Sequence, residues 1–125
     1  LLETINCSYM KAVFDPANFV QCDIKTYPEA FNLLKEHVVY IHIKDALYKD
    51  HSVVPSGHGD GRVKDILTEL KNRDFTGFIS LEPHLADFAG FAALEPNSPV
   101  NKLPEGEPKQ FTIAAEALNK ILAGL

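Results

Sequence analysis

Cysteine, methionine and tryptophan are scarce in these 125 residues, which hold two Cys, one Met and no Trp. Cys7 and Cys22 form no CxxC spacing and are too few for a disulfide scaffold, which predicts a reducing, cytoplasmic setting. Long apolar runs are missing too. None approaches the ~20 residues of a membrane-spanning helix, so no membrane partner is expected. Excess positive charge is also lacking: 12 Lys+Arg against 17 Asp+Glu leave a formal net charge of −5. A chain so charged offers no overall field for a phosphate backbone, and nucleic acid is not an expected partner. The start shows no basic stretch leading into an apolar segment and a cleavage site, so it does not read as a signal peptide. It opens instead with Leu1-Leu2-Glu3, in the middle of an apolar-polar pattern and without Met, which suggests a piece of a longer protein.

What is present is an ordinary globular composition. Apolar residues make up 46% and charged residues 23%, enough for one domain over 1–125 with a real core. Residues 1–7 read as the end of a helix. Met10-Lys11-Ala12-Val13-Phe14-Asp15 is a short apolar run closed by Asp and Pro16, the pattern of a buried strand followed by a turn. Thr26-Tyr27-Pro28-Glu29 predicts a helix start with Thr26 as N-cap, and Ala30, Leu33, Leu34 and Val38 supply an apolar stripe. Val38 to Asp45 is the clearest strand, β-branched almost throughout. A glycine-rich loop, Pro55-Ser56-Gly57-His58-Gly59-Asp60-Gly61, precedes a helix at about 62–73 with Val63, Ile66, Leu67 and Leu70 on one face. Thr76 to His84 is a third strand, again ending in an acid followed by proline. Pro96, Pro99, Pro104 and Pro108 predict an extended loop over 85–109, and Phe111 to Leu122 a last helix that buries Ile113, Ala114, Ala117, Leu118 and Ile121.

Short buried strands alternating with helices imply parallel βαβ units. The strands end in ionisable residues: Asp15, then His42 with Lys44 and Asp45, then Glu82 with His84. Ligands in parallel α/β folds bind at the carboxyl ends of the strands, so one rim collects Asp, His and Glu. Two carboxylates with one imidazole suit Mn²⁺, Mg²⁺, Zn²⁺ or Co²⁺. Such an ion polarises a carbonyl and hydroxyl pair, and a neighbouring carboxylate can move the acidified proton. The plainer alternative is that these polar residues face water or cap the next helix.

The stretches FDPANF (Phe14 to Phe19), HIKDA (His42 to Ala46), VPSGHGDG (Val54 to Gly61) and SLEPHL (Ser80 to Leu85) resemble, in this order, the xylose isomerase-like TIM-barrel family. That family holds sugar and sugar-phosphate isomerases and epimerases. The resemblance implies an α/β chain forming about three βα units, strands six to eight of a (β/α)₈ barrel, with parallel strands and exposed edges. It implies that Asp15, His42 and Glu82 match three of four metal ligands, and that Glu82 matches one of two glutamates that shuttle a proton. A small-molecule sugar or sugar phosphate is the implied substrate. The fourth ligand, a Glu on an earlier strand, has no counterpart here, and a complete barrel needs about 250 residues. Asn18 stands where many epimerases carry a substrate-binding His, and Lys44, Tyr48 and Lys49 where they carry an Arg, which leaves the sugar open.

Asn18, Lys44, Asp45 and His58 are the candidate substrate contacts. Lys44 and Asp45 could equally form a rim salt bridge. The glycines around His58 could cradle a phosphate at the helix start, or simply supply positive φ, and no GK[ST] follows them. Tyr40, Phe88 and Phe91 read most simply as core packing, and Phe88 and Phe91, in the long loop, could instead cover the rim. Two other functions stay open. One is a catalytically incomplete assembly module, since three parallel strands expose two edges that invite self-association. The other is a relative of abasic-site endonucleases, which the net charge disfavours.

Overall fold

The computed structural model describes residues 2–83 and 91–125, with the side chains of residues 91 and 92 outside that description. The chain runs α1 (Leu2–Ile5), β1 (Ala12–Phe14), α2 (Pro16–Gln21), a wide helical turn (Thr26–Ala30) entering α3 (Phe31–Leu34), then β2 (Val38–Ile43). A small pair, β3 (Asp45–Ala46) and β4 (Val53–Val54), precedes α4 (Val63–Asn72) and β5 (Phe78–Leu81). A short α5 (Phe91–Leu94), a 3₁₀ turn (Pro99–Lys102) and α6 (Glu107–Ala123) complete it. β1, β2 and β5 form one parallel sheet in that order, while β3 and β4 pair antiparallel beside it.

Alternation along β2 sorts its side chains between two faces. Ile41 and Ile43 join Phe14 under the helices, where Phe31, Val63, Ile66, Leu67, Leu70 and Ile121 close the main core. Phe14 stacks on Phe19 at 4.7 Å between ring centroids and meets the edge of Phe31 at 5.3 Å. The other face carries Val13, Tyr40 and Phe78, which lie abreast in the register. Val13 is 51% and Phe78 78% exposed, so this face is open while the helix-covered face is shut.

Several local expectations are corrected by how proline and the chain's caps are used. Proline begins helices here rather than breaking them. Pro16 opens α2, Pro99 opens the 3₁₀ turn behind a Ser98 cap, and Pro108 lies in the first turn of α6 behind Gly106. The last helix thus starts at Glu107 rather than Phe111, and the 85–109 segment contains α5 and the 3₁₀ turn rather than one extended loop. Thr26 is no cap: its buried hydroxyl donates to the Gly61 carbonyl at 3.1 Å. Tyr27 is extended, so the helical phase begins at Pro28, which buries Phe31 and leaves Leu33 82% exposed instead of in the stripe. Val38 belongs to β2. Among the described residues, no helix is long and apolar enough to cross a membrane.

Candidate metal centre

Each strand of the parallel sheet delivers one ligand-type side chain to its carboxyl end. Asp15 directly follows β1, His42 is next to last in β2, and Glu82 directly follows β5. The Glu82 amide donates to the Ile43 carbonyl at 3.1 Å, carrying the ladder one residue beyond β5. His42 Nδ1 lies 2.9 Å from Glu82 Oε2 and 3.9 Å from Asp15 Oδ2. One ligand atom from each of the three residues falls within 4.8 Å of the others. Tyr40 sets its ring edge-on to the imidazole at 5.0 Å, so it borders the site as well as packing on Phe78.

Asp15 divides its carboxylate between two tasks. Oδ1 accepts the Asn18 amide at 3.1 Å and caps α2. Oδ2 is buried and, among the described residues, has no hydrogen-bond partner. Lys44 Nζ stands 3.3 Å away, a charge contact, and donates instead to Asn18 Oδ1 at 3.0 Å. Side-chain exposure rises from 7% at Asp15 through 28% at His42 to 36% at Glu82, so the cluster has a closed floor and an open mouth.

The residues fit a divalent cation. Two carboxylate oxygens and an imidazole nitrogen are the donors that Mn²⁺, Mg²⁺, Zn²⁺ or Co²⁺ accept. Bond lengths of about 2.0–2.6 Å let one ion reach all three atoms across the observed separations. A buried carboxylate oxygen without a hydrogen bond is unfavourable, and beside the Lys44 charge contact a cation at Oδ2 would offset that cost further.

No protein-family model matches the chain, and no curated protein does. Among solved structures, the chain is similar to the crystal structure of a xylose isomerase domain protein from Planctomyces limnophilus, with TM-score 0.67 and 23% identity. The match covers 96% of this chain and 40% of that one, so the chain spans well under two thirds of its neighbour's length. The fold is part of a xylose isomerase-like TIM barrel.

In such a barrel, ligands meet the carboxyl ends of the strands, which is where Asp15, His42 and Glu82 converge. Asn18 and Lys44 border the same point. Asp45 does not. It is fully buried, and its Oδ2 accepts the amides of Gly57 and Gly59 at 2.9 and 3.1 Å, while Oδ1 accepts those of Gly61 and Ala46 at 2.8 and 3.0 Å. The expected substrate contact at Asp45 is therefore replaced by a structural one. The phosphate cradle fails for the same reason, because the loop amides turn inward onto a resident carboxylate. A Cβ at Gly59 or Gly61 would overlap that carboxylate, so these glycines serve close approach.

Burial pushes the Asp45 carboxyl above its ordinary range, and the amides of Gly61, Gly57, Gly59 and Ala46 oppose this by favouring the charged form. His58 points elsewhere, with Nε2 3.9 Å from Glu95 Oε1, while Glu95 Oε2 pairs with Lys120 on α6 at 2.8 Å. Tyr48 is tied to the frame by its hydroxyl on the Ile24 carbonyl and its amide on Asp60, and Lys49 faces Asp50 on the surface. His84 and Phe88 lie outside the described residues, as does the Phe91 side chain. The Asp45 anchor gives a direct expectation. Asp45→Ala leaves four amides without their acceptor, those of Ala46 and Gly61 buried, and lowers the unfolding free energy by ~3 kcal/mol in urea titration, with Asp45→Asn losing less. An unchanged urea midpoint in the alanine variant would refute the anchoring role.

Proposed function

We propose that this chain carries the metal-binding part of a divalent-metal-dependent sugar or sugar-phosphate isomerase or epimerase. The observation that supports it most is the buried Asp15 Oδ2, without a hydrogen-bond partner among the described residues, facing His42 Nδ1 and close to Glu82 at the carboxyl ends of three parallel strands. The likeness to a xylose isomerase domain protein, at the level of fold, points the same way. A bound ion would polarise neighbouring carbonyl and hydroxyl oxygens of an open-chain sugar and acidify the hydrogen on the carbon between them.

The chain's own residues then have separable tasks. Asp15 is pinned through Oδ1 by the Asn18 amide, so it serves as a fixed ligand and not as a proton carrier. His42 can ligate through Nδ1 only when its ring proton sits on Nε2. Glu82 is the most open of the three and takes the proton onto a carboxylate oxygen, returning it to the adjacent carbon in an isomerisation, whereas delivery to the opposite face in an epimerisation needs a second acid. Asn18, whose Oδ1 receives Lys44, offers its Nδ2 to a substrate hydroxyl. Adding Mn²⁺ in D₂O should drive deuterium into the carbon-bound position of a ketose, and Glu82→Gln and His42→Ala should each lower that exchange at least ~100-fold. Exchange that proceeds equally in Glu82→Gln would remove Glu82 from the reaction.

The open sheet face belongs to the same reading. We propose that Val13 and Phe78, together with the outer edges of β1 and β5, are covered by a second copy of the chain, since exposed apolar faces and strand edges favour pairing. Sedimentation velocity at micromolar concentration should show dimers or larger species, shifted toward monomer by Phe78→Lys. A monodisperse monomer in the unaltered chain contradicts self-association and leaves the metal site untouched.

A further inference from the structure

We propose that Lys44 is a built-in counter-ion to Asp15 that lowers the affinity of the centre for a divalent cation. This rests on the metal reading above and adds a control on it. Lys44 follows His42 by two residues, so both side chains leave the chain on the same side. Its side chain is only 4% exposed, and Nζ is fixed between Asp15 Oδ2 at 3.3 Å and Asn18 Oδ1 at 3.0 Å.

With His42 neutral, Asp15 and Glu82 bring two negative charges and Lys44 one positive, so the cluster carries a net −1 instead of −2. An ion seated on Asp15 Oδ2 must share that oxygen with the ammonium, and like charges at such range in a poorly hydrated setting repel strongly. Removing the ammonium does not free the carboxylate to turn, because the Asn18 amide holds Oδ1 independently of Lys44. Charge and orientation are thus carried by different groups. Lys44 keeps a buried carboxylate compatible with the fold before an ion arrives, and the cost is weaker retention of the ion afterwards.

Calorimetric titration of the full chain with Mn²⁺, in the unaltered sequence and in K44M, K44Q and K44R, tests this, alongside thermal unfolding in EDTA. Both neutral variants should bind Mn²⁺ about tenfold more tightly, and K44R should stay close to the unaltered chain. In EDTA the neutral variants should unfold several degrees lower, and saturating Mn²⁺ should close that gap. Equal or weaker binding by both neutral variants, with the unaltered chain still binding, overturns the role of Lys44 and leaves the metal reading standing. No binding by any of the proteins overturns both. Failure of both neutral variants to fold even in Mn²⁺ also overturns it, since an ion should replace the missing charge.

Discussion

The structure turns on one half-satisfied carboxylate. Asp15 is placed at the end of β1 by Phe14, whose ring is locked between Phe19 and Phe31 in the core, and Pro16 behind it commits the chain to α2. The cap uses one oxygen and buries the other. Because β2 and β5 run parallel to β1, His42 and Glu82, the latter two residues beyond His42's register partner Ser80, reach the same end of the sheet as that second oxygen. The sheet therefore does more than position residues. It buries a carboxylate oxygen that has the Lys44 ammonium at 3.3 Å and, among the described residues, no hydrogen bond.

Asp45 shows the contrasting solution to the same problem. It too is a buried carboxylate at the carboxyl end of β2, one residue beyond Lys44. Four backbone amides from the glycine loop and its own neighbour saturate both of its oxygens. A carboxylate solvated in that way needs no ion and is closed to a ligand, so it fastens the loop that leads into α4. Two acids of similar burial thus separate into a structural anchor and a candidate ligand by the number of amides aimed at them.

Much of this was legible in the sequence because the relevant signals are local. Ile41 and Ile43 alternate with His42, which sets the imidazole on the face away from the helices, and the apolar periodicity of Val63, Ile66, Leu67 and Leu70 gives α4 almost to the residue. The parallel order of β1, β2 and β5 follows from strand–helix alternation. What the sequence hid depends on long-range partners or on context. The Gly57–Gly61 loop has the composition of an anion cradle, and only the fold reveals that the anion is Asp45. Pro108 looks like a breaker until Gly106 supplies the preceding turn. Leu33 fits a helical stripe whose phase is reset by the extended Tyr27. Lys44 reads as a rim residue, yet its ammonium lies buried against Asp15.

The central claim is that Asp15, His42 and Glu82 hold one divalent cation between them. Crystals of the chain soaked in Mn²⁺ and measured at a wavelength where manganese scatters anomalously test it directly. The account predicts one anomalous peak about 2.0–2.4 Å from Asp15 Oδ2, His42 Nδ1 and a Glu82 carboxylate oxygen. Absence of a peak there, or a peak touching surface carboxylates alone, would contradict it.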